Sequence, residues 1–109
     1  MVVHKIKSAE EFESVIKSND KVVLDCYAEW CGPCRNISPY LDNLSEAVTY
    51  KDQVHFIKLD TDELQDLSQK LGIRAMPTFF FFFKSGEMVD QVVGARTSDL
   101  KNGLTKLVG

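Results

Sequence analysis

The sequence predicts an α/β fold in which a mixed five-stranded β-sheet carries helices on both faces. Three observations lead there. Short apolar runs alternate with amphipathic stretches from the N-terminus to about residue 72, the pattern of parallel strands joined by helical crossovers. Two strand-like runs then follow each other across Lys84-Ser85-Gly86-Glu87, which reads as a hairpin turn and adds antiparallel strands. A length of 109 residues, 44 % hydrophobic and 27 % charged, suits a single domain over 1–109 that buries a core without disulfide staples.

Val2 to Ile6 reads as the first strand. Ser8-Ala9-Glu10-Glu11 matches a capping box, with Ser8 as N-cap and Glu11 three positions on. Phe12, Val15 and Ile16 follow at helical spacing, and Ser18-Asn19-Asp20 ends that helix. Val22-Val23-Leu24-Asp25-Cys26-Tyr27 is nearly continuous in apolar residues, as a strand buried on both faces should be. Asp25 is the one charge inside it. Trp30 to Cys34 predicts a loop. Ile37, Tyr40, Leu41, Leu44, Ala47 and Val48 then form a helical stripe, with Pro39 inside it predicting a kink. Val54 to Leu59 is the next strand. Leu64, Leu67 and Leu71 mark a third helix, and Gly72 stands where a C′ glycine belongs. Thr78 to Phe83 and Met88 to Val93 are the hairpin strands, and the phenylalanine run Phe79 to Phe83 should fill the core on both faces. Thr97-Ser98-Asp99 opens a last helix with Leu100, Leu104, Leu107 and Val108 on one face. The order is β-α-β-α-β-α-β-β-α.

Thirteen Lys and Arg against 16 Asp and Glu give a net charge of -3. That balance lacks the basic footprint of a nucleic-acid binder and the cationic face of a membrane-surface protein. The N-terminus turns polar at Ser8, too soon for a secretory signal, and the five-residue aromatic run is far short of a membrane span. A soluble chain is expected. No glycine-rich dinucleotide fingerprint is present, so no cofactor is expected either.

Of the three cysteines, Cys31 and Cys34 stand close together between a buried strand and a helix. At that spacing two thiols can close into a small disulfide. The helix N-terminus offers partial positive charge and free N–H groups, which favour the nucleophilic thiolate. Cys31, in the loop and read as the more exposed, takes the attacking role; Cys34, one turn into the helix, takes the resolving role. Pro33 restricts the loop between them. A structural zinc site needs four ligands, and the remaining Cys26, His4 and His55 have no ligand-like spacing. A static disulfide or two inert buried thiols are the plainer alternatives, and the Trp30-Cys31-Gly32-Pro33-Cys34 context argues against both. Asp25 should have a raised pKa if it is buried, which would let it exchange a proton near neutral pH; a hydrogen-bonded structural carboxyl is the alternative.

Trp30-Cys31-Gly32-Pro33-Cys34 resembles the active-site motif of the thioredoxin family. Val22 to Leu41, including Asp25 and Pro39, resembles that family's second strand, active-site loop and kinked second helix. Ala75-Met76-Pro77-Thr78-Phe79 resembles its cis-proline segment, Val93-Gly94-Ala95 its substrate-facing glycine turn, and Lys58 its strand lysine near the buried aspartate. Element order agrees from end to end.

The resemblance implies a thioredoxin-like fold and reduction of protein disulfides through Cys31 and Cys34. It implies that Asp25 accepts the proton of Cys34, with Lys58 nearby. It further implies a cis Met76–Pro77 bond beside the cysteines, where the Met76 backbone pairs with an incoming extended peptide. Trp30, Gly32, Met76, Val93, Gly94 and Ala95 would form the rim. The implied partners are disulfide-containing proteins and an NADPH-dependent thioredoxin reductase that restores the dithiol of a monomer. Ala75-Met76-Pro77 is similar to the triplet of eukaryotic cytosolic members, which implies a cytoplasmic location.

Three positions depart from the family pattern. Cys26 replaces a large aromatic residue and should pack on the face opposite Asp25; Arg35 replaces a lysine; Tyr27 stands where some members carry tryptophan. Two rival readings remain. A disulfide oxidase or isomerase usually carries histidine between its cysteines, where this chain has Gly32-Pro33. A binding module would use the redox pair only to gate association.

Overall fold

The computed structural model describes residues 3–83 and 86–109, with backbone alone at 83. Its elements are β1 (Val3–Lys5), α1 (Ala9–Ser18), β2 (Lys21–Tyr27), α2 (Gly32–Glu46), β3 (His55–Asp60), α3 (Gln65–Lys70), β4 (Thr78–Phe83), β5 (Glu87–Val93) and α4 (Thr97–Val108). They follow the order read from the sequence. The five strands form one sheet in the order β1-β3-β2-β4-β5. β1, β3 and β2 are parallel, and β4 and β5 are antiparallel.

Strand alternation divides the apolar residues between two layers. Val23, Phe79 and Phe81 face α2 and α4, packing with Ile37, Leu41, Leu100 and Leu104. Val22, Leu24, Cys26, Phe80 and Phe82 face the opposite side, with Phe12 and Ile16 of α1 and Leu67 of α3. Phe79 to Phe82 therefore serve both layers, and each such buried ring contributes about 1.5–3 kcal/mol relative to exposure. Gly103 lets α4 lie close on β4: a Cβ there would fall against the Phe81 ring, 2.8 Å from Cε2.

Local signals behave as their chemistry dictates, with instructive departures. Ser8 caps α1, its Oγ accepting the Glu11 N–H at 3.0 Å. Glu11 returns its carboxylate to the Lys7 N–H at 2.7 Å, one residue earlier than the capping box predicts. At the end of α3, Gly72 has φ of 75°, and the N–H groups of Gly72 and Ile73 reach Gln69 O and Ser68 O, a complete Schellman closure. α2 begins at Gly32, so only Cys31 and the residues before it belong to the predicted loop. It ends at Glu46; Val48, placed on its apolar stripe by spacing, lies beyond the C-cap and is 84 % exposed. Val2 and part of the predicted turn at 84–87 lie outside the described residues, while Glu87 opens β5.

This topology gathers four connections at one end of the sheet. β2 and β3 are parallel, so their carboxyl ends lie side by side, with Tyr27 opposite Asp60. β4 runs the other way, which brings its first residue, Thr78, beside Cys26. β5 reverses again and ends with Val93 beside Thr78. The segments after β2, after β3, before β4 and after β5 therefore converge, and the N-terminus of α2 rises from the first of them.

Candidate active site

Cys31 is the N-cap of α2, and its Sγ accepts the Cys34 N–H at 3.1 Å. The sulfur occupies the place a Ser or Asp oxygen holds in an ordinary cap, so an anionic sulfur there meets an unpaired donor and the positive end of the helix dipole. Pro33 sits in the first turn, where a missing N–H leaves no bond unmade. Cys34 comes at the third helical position, on the same side as Cys31. The two are joined by a disulfide, with their Cα atoms 5.3 Å apart.

The expected difference in exposure between the two sulfurs is absent in this disulfide form. Cys31 is 5 % exposed and Cys34 is 4 %. The reason is local packing: Ala28, Tyr27 and Met76 close over the pair. Gly32 is half-buried, whereas Pro33 is exposed.

The segment before β4 supplies the next wall. Met76–Pro77 is cis, and Met76 O lies 3.7 Å from Cys31 Sγ. Pro77 is buried and its carbonyl accepts the Gly94 N–H at 2.9 Å, which ties the glycine turn to the proline segment. Gly94 has φ of 105°, a conformation that L side chains rarely adopt. Val93 is 55 % exposed and Trp30 is 66 % exposed, while Met76 and Ala95 are half-buried. The structure thus places the sequence-derived rim at the convergence of loops described above.

Two contacts there were not foreseen. Trp30 Nε1 donates to Asp62 Oδ2 at 2.9 Å, and Thr61 Oγ1 donates to the Met76 sulfur at 3.1 Å. The buried Asp60 shapes that turn by accepting the Asp62 N–H at 2.9 Å. The signal available was the polar run Asp60-Thr61-Asp62-Glu63 directly after a strand parallel to β2, at the sheet end where α/β proteins place their sites. Arg35 also fixes the loop, donating from Nη1 to Glu29 O at 2.7 Å.

Behind Cys34 lies a cavity of about 170 Å³, lined by Asp25, Tyr27, Ser38, Arg35 and Lys58 among others. Asp25 is 4 % exposed, and its Oδ1 has no hydrogen-bond partner. Burial pushes its pKa up to about 7; the Lys58 ammonium opposes that rise and the Asp42 carboxylate adds to it. For the hydrogen-bonded structural carboxyl that sequence left open, no protein donor reaches Oδ1. Cys26 packs on the opposite face, fully buried, and burial holds its thiol well above the ordinary value. No cluster of three or more His, Cys, Asp or Glu side chains that could hold a metal exists among the described residues. No helix among them is long and apolar enough to cross a membrane.

Comparison with known proteins agrees with this arrangement. The thioredoxin family model matches residues 3–106. Thioredoxin-2 of Pyricularia oryzae is 44 % identical over 93 % of this chain, which spans 57 % of that protein's length. Mitochondrial thioredoxin-3 of Saccharomyces cerevisiae is 40 % identical over 96 % of this chain and 80 % of its own. The solved structure of Malassezia sympodialis thioredoxin superposes with a TM-score of 0.91 at 42 % identity, covering 98 % of this chain and 91 % of that one. A shared fold alone would leave the chemistry open, but identity at this level, together with a cysteine pair capping α2, does not: the chain belongs to the thioredoxin family and is a thiol–disulfide oxidoreductase.

Proposed function

We propose that Cys31 is the attacking thiolate, Cys34 the resolving thiol and Asp25 its proton acceptor in the reduction of protein disulfides. The Cys31 thiolate attacks one sulfur of the substrate disulfide, forming a mixed disulfide and releasing the other sulfur as a thiolate. Cys34 gives its proton to Asp25, directly or through water in the cavity, and attacks Cys31 Sγ. The second substrate sulfur leaves as a thiolate, and two electrons have passed from the dithiol to the substrate. The observation that carries this reading is the pairing of Cys31 Sγ as a helix cap with an unpaired buried carboxyl behind Cys34.

The Met76 backbone, whose carbonyl lies 3.7 Å from Cys31 Sγ, offers the peptide groups to which an extended substrate segment adds. Trp30, Gly32, Val93, Gly94 and Ala95 frame it. An NADPH-dependent thioredoxin reductase returns the pair to the dithiol. Every residue invoked comes from one chain, so a monomer suffices, and the cytoplasm is its place of action. The test is turnover: NADPH oxidation with a thioredoxin reductase and insulin as the disulfide substrate. Sustained turnover that is lost in Cys31→Ser supports the reading. Stoichiometric reduction without turnover would instead mark a binding module.

A further inference from the structure

Lys58 stands directly opposite Asp25 in the β2–β3 register and lines the same cavity. Side chains so placed are within reach of an ion pair. None forms: among the described residues no ion pair involves Asp25, and its Oδ1 is unpartnered. Instead Lys58 Nζ lies 5.7 Å from the centroid of the Tyr27 ring. Tyr27 follows Asp25 by two positions on β2 and so shares its face. A cation at that distance from an aromatic face is attracted by the ring quadrupole.

We propose that Tyr27 is a positioning residue for the proton-transfer step, its ring holding the Lys58 ammonium out of ion-pair contact with Asp25. This rests on the reading of Asp25 given above. An ammonium closing on the carboxylate favours the charged form, and Asp25 would then stay ionised and hold a proton poorly at neutral pH. The groups facing Asp25 narrow the choice of cation. Lys58 comes from β3, Asp42, Cys34 and Arg35 from α2, and Glu29 from the loop between β2 and α2; Phe79, across on β4, carries no charge. Of the two cations, Arg35 is tied to Glu29 O. Lys58 is the one whose position the Tyr27 ring decides.

The experiment reads the Asp25 titration itself, from its side-chain carboxyl carbon by NMR in the oxidised protein. It compares wild type, Tyr27→Phe, Tyr27→Met, Lys58→Met and the Tyr27→Met/Lys58→Met double variant. Tyr27→Phe keeps the ring and should keep the midpoint. Tyr27→Met should lower it by about one pH unit or more. In the Lys58→Met background, Tyr27→Met should change nothing. An unchanged midpoint in Tyr27→Met, or an equal shift with and without Lys58, overturns the proposal. Wild type gives a check that needs no variant: NOEs should connect the Lys58 ε-methylene to the Tyr27 ring, and their absence also overturns it. Because turnover is not the readout, the proposal can fail while Asp25 still accepts the Cys34 proton, which single-turnover kinetics of Asp25→Asn decide separately.

Discussion

Replacing Asp25 by Asn should stabilise the folded chain by an amount that grows with pH. The carboxyl is 4 % exposed, its Oδ1 has no partner, and burial raises its pKa from 3.8 to about 7. In the unfolded chain it titrates at the ordinary value. Between the two values the folded state keeps a proton that the unfolded state has lost. Stability therefore falls as pH climbs through that window, and the loss is complete above the folded value. At about 1.4 kcal/mol for each tenfold change in proton affinity, the rise from 3.8 to about 7 amounts to about 4 kcal/mol. Asn has nearly the same shape and no charge to desolvate. The two proteins should be close in stability at about pH 4 and about 4 kcal/mol apart at about pH 8. That gap is worth roughly 16 °C in Tm for a chain of this size. Urea unfolding of both oxidised proteins, followed by far-UV circular dichroism across that range, measures it. Other titrating groups are common to both and cancel in the difference. A gap that is constant with pH, or that narrows as pH rises, would refute the reasoning.

Three further outcomes are expected. Cys34→Ser should trap substrates on Cys31 as mixed disulfides, because attack survives and release does not; Cys31→Ser should trap none, and equal capture on non-reducing gels would reverse or dissolve the assigned roles. In the reduced protein, brief iodoacetamide treatment with peptide mass mapping should find Cys31 labelled about tenfold or more faster than Cys26, since each pH unit of thiol acidity gained at the helix cap raises the thiolate fraction about tenfold, whereas Cys26 is fully buried with a raised pKa. Gly103→Ala should destabilise despite its better helix propensity: overpacking against the Phe81 ring costs about 1–3 kcal/mol against a gain of about 1 kcal/mol. A thermal melt at or above the wild-type Tm would show that Phe81 moves aside freely.

The element order was legible because each signal is local. Ser8 with Glu11, Gly72 after Leu71, and the doubly apolar β2 each state their conformation within a few residues. Burial of Asp25 was legible for the same reason, a lone charge in an apolar run. What local pattern misreads is where a periodic stretch stops. Val48 continues the α2 stripe by spacing, yet the helix closes at Ala47, whose N–H reaches Leu44 O, and Val48 faces solvent. Contacts between segments far apart in sequence were also out of reach. Trp30 with Asp62 and Thr61 with Met76 depend on β2 and β3 lying parallel and on β4 reversing beside them, and no spacing within one segment encodes that. The closure of Met76 over the cysteines belongs to the same class. It is why Cys31, exposed by loop position, is buried in the disulfide form.

The raised pKa of Asp25 links the cost to stability with the proposed chemistry. Its proposed task is to take the proton of Cys34. A carboxyl at its ordinary 3.8 would hold that proton poorly; raised to about 7, it makes the same transfer less uphill by about 4 kcal/mol. The difference is the same 4 kcal/mol that Asp25→Asn should recover. A salt bridge from Lys58 would restore stability and remove the proton affinity together, because both follow from favouring the charged form. Stability alone favours that pair, and the register places Lys58 where it could form. An unpartnered Oδ1, with the ammonium drawn to Tyr27, is the arrangement expected of a site where proton affinity takes precedence over stability.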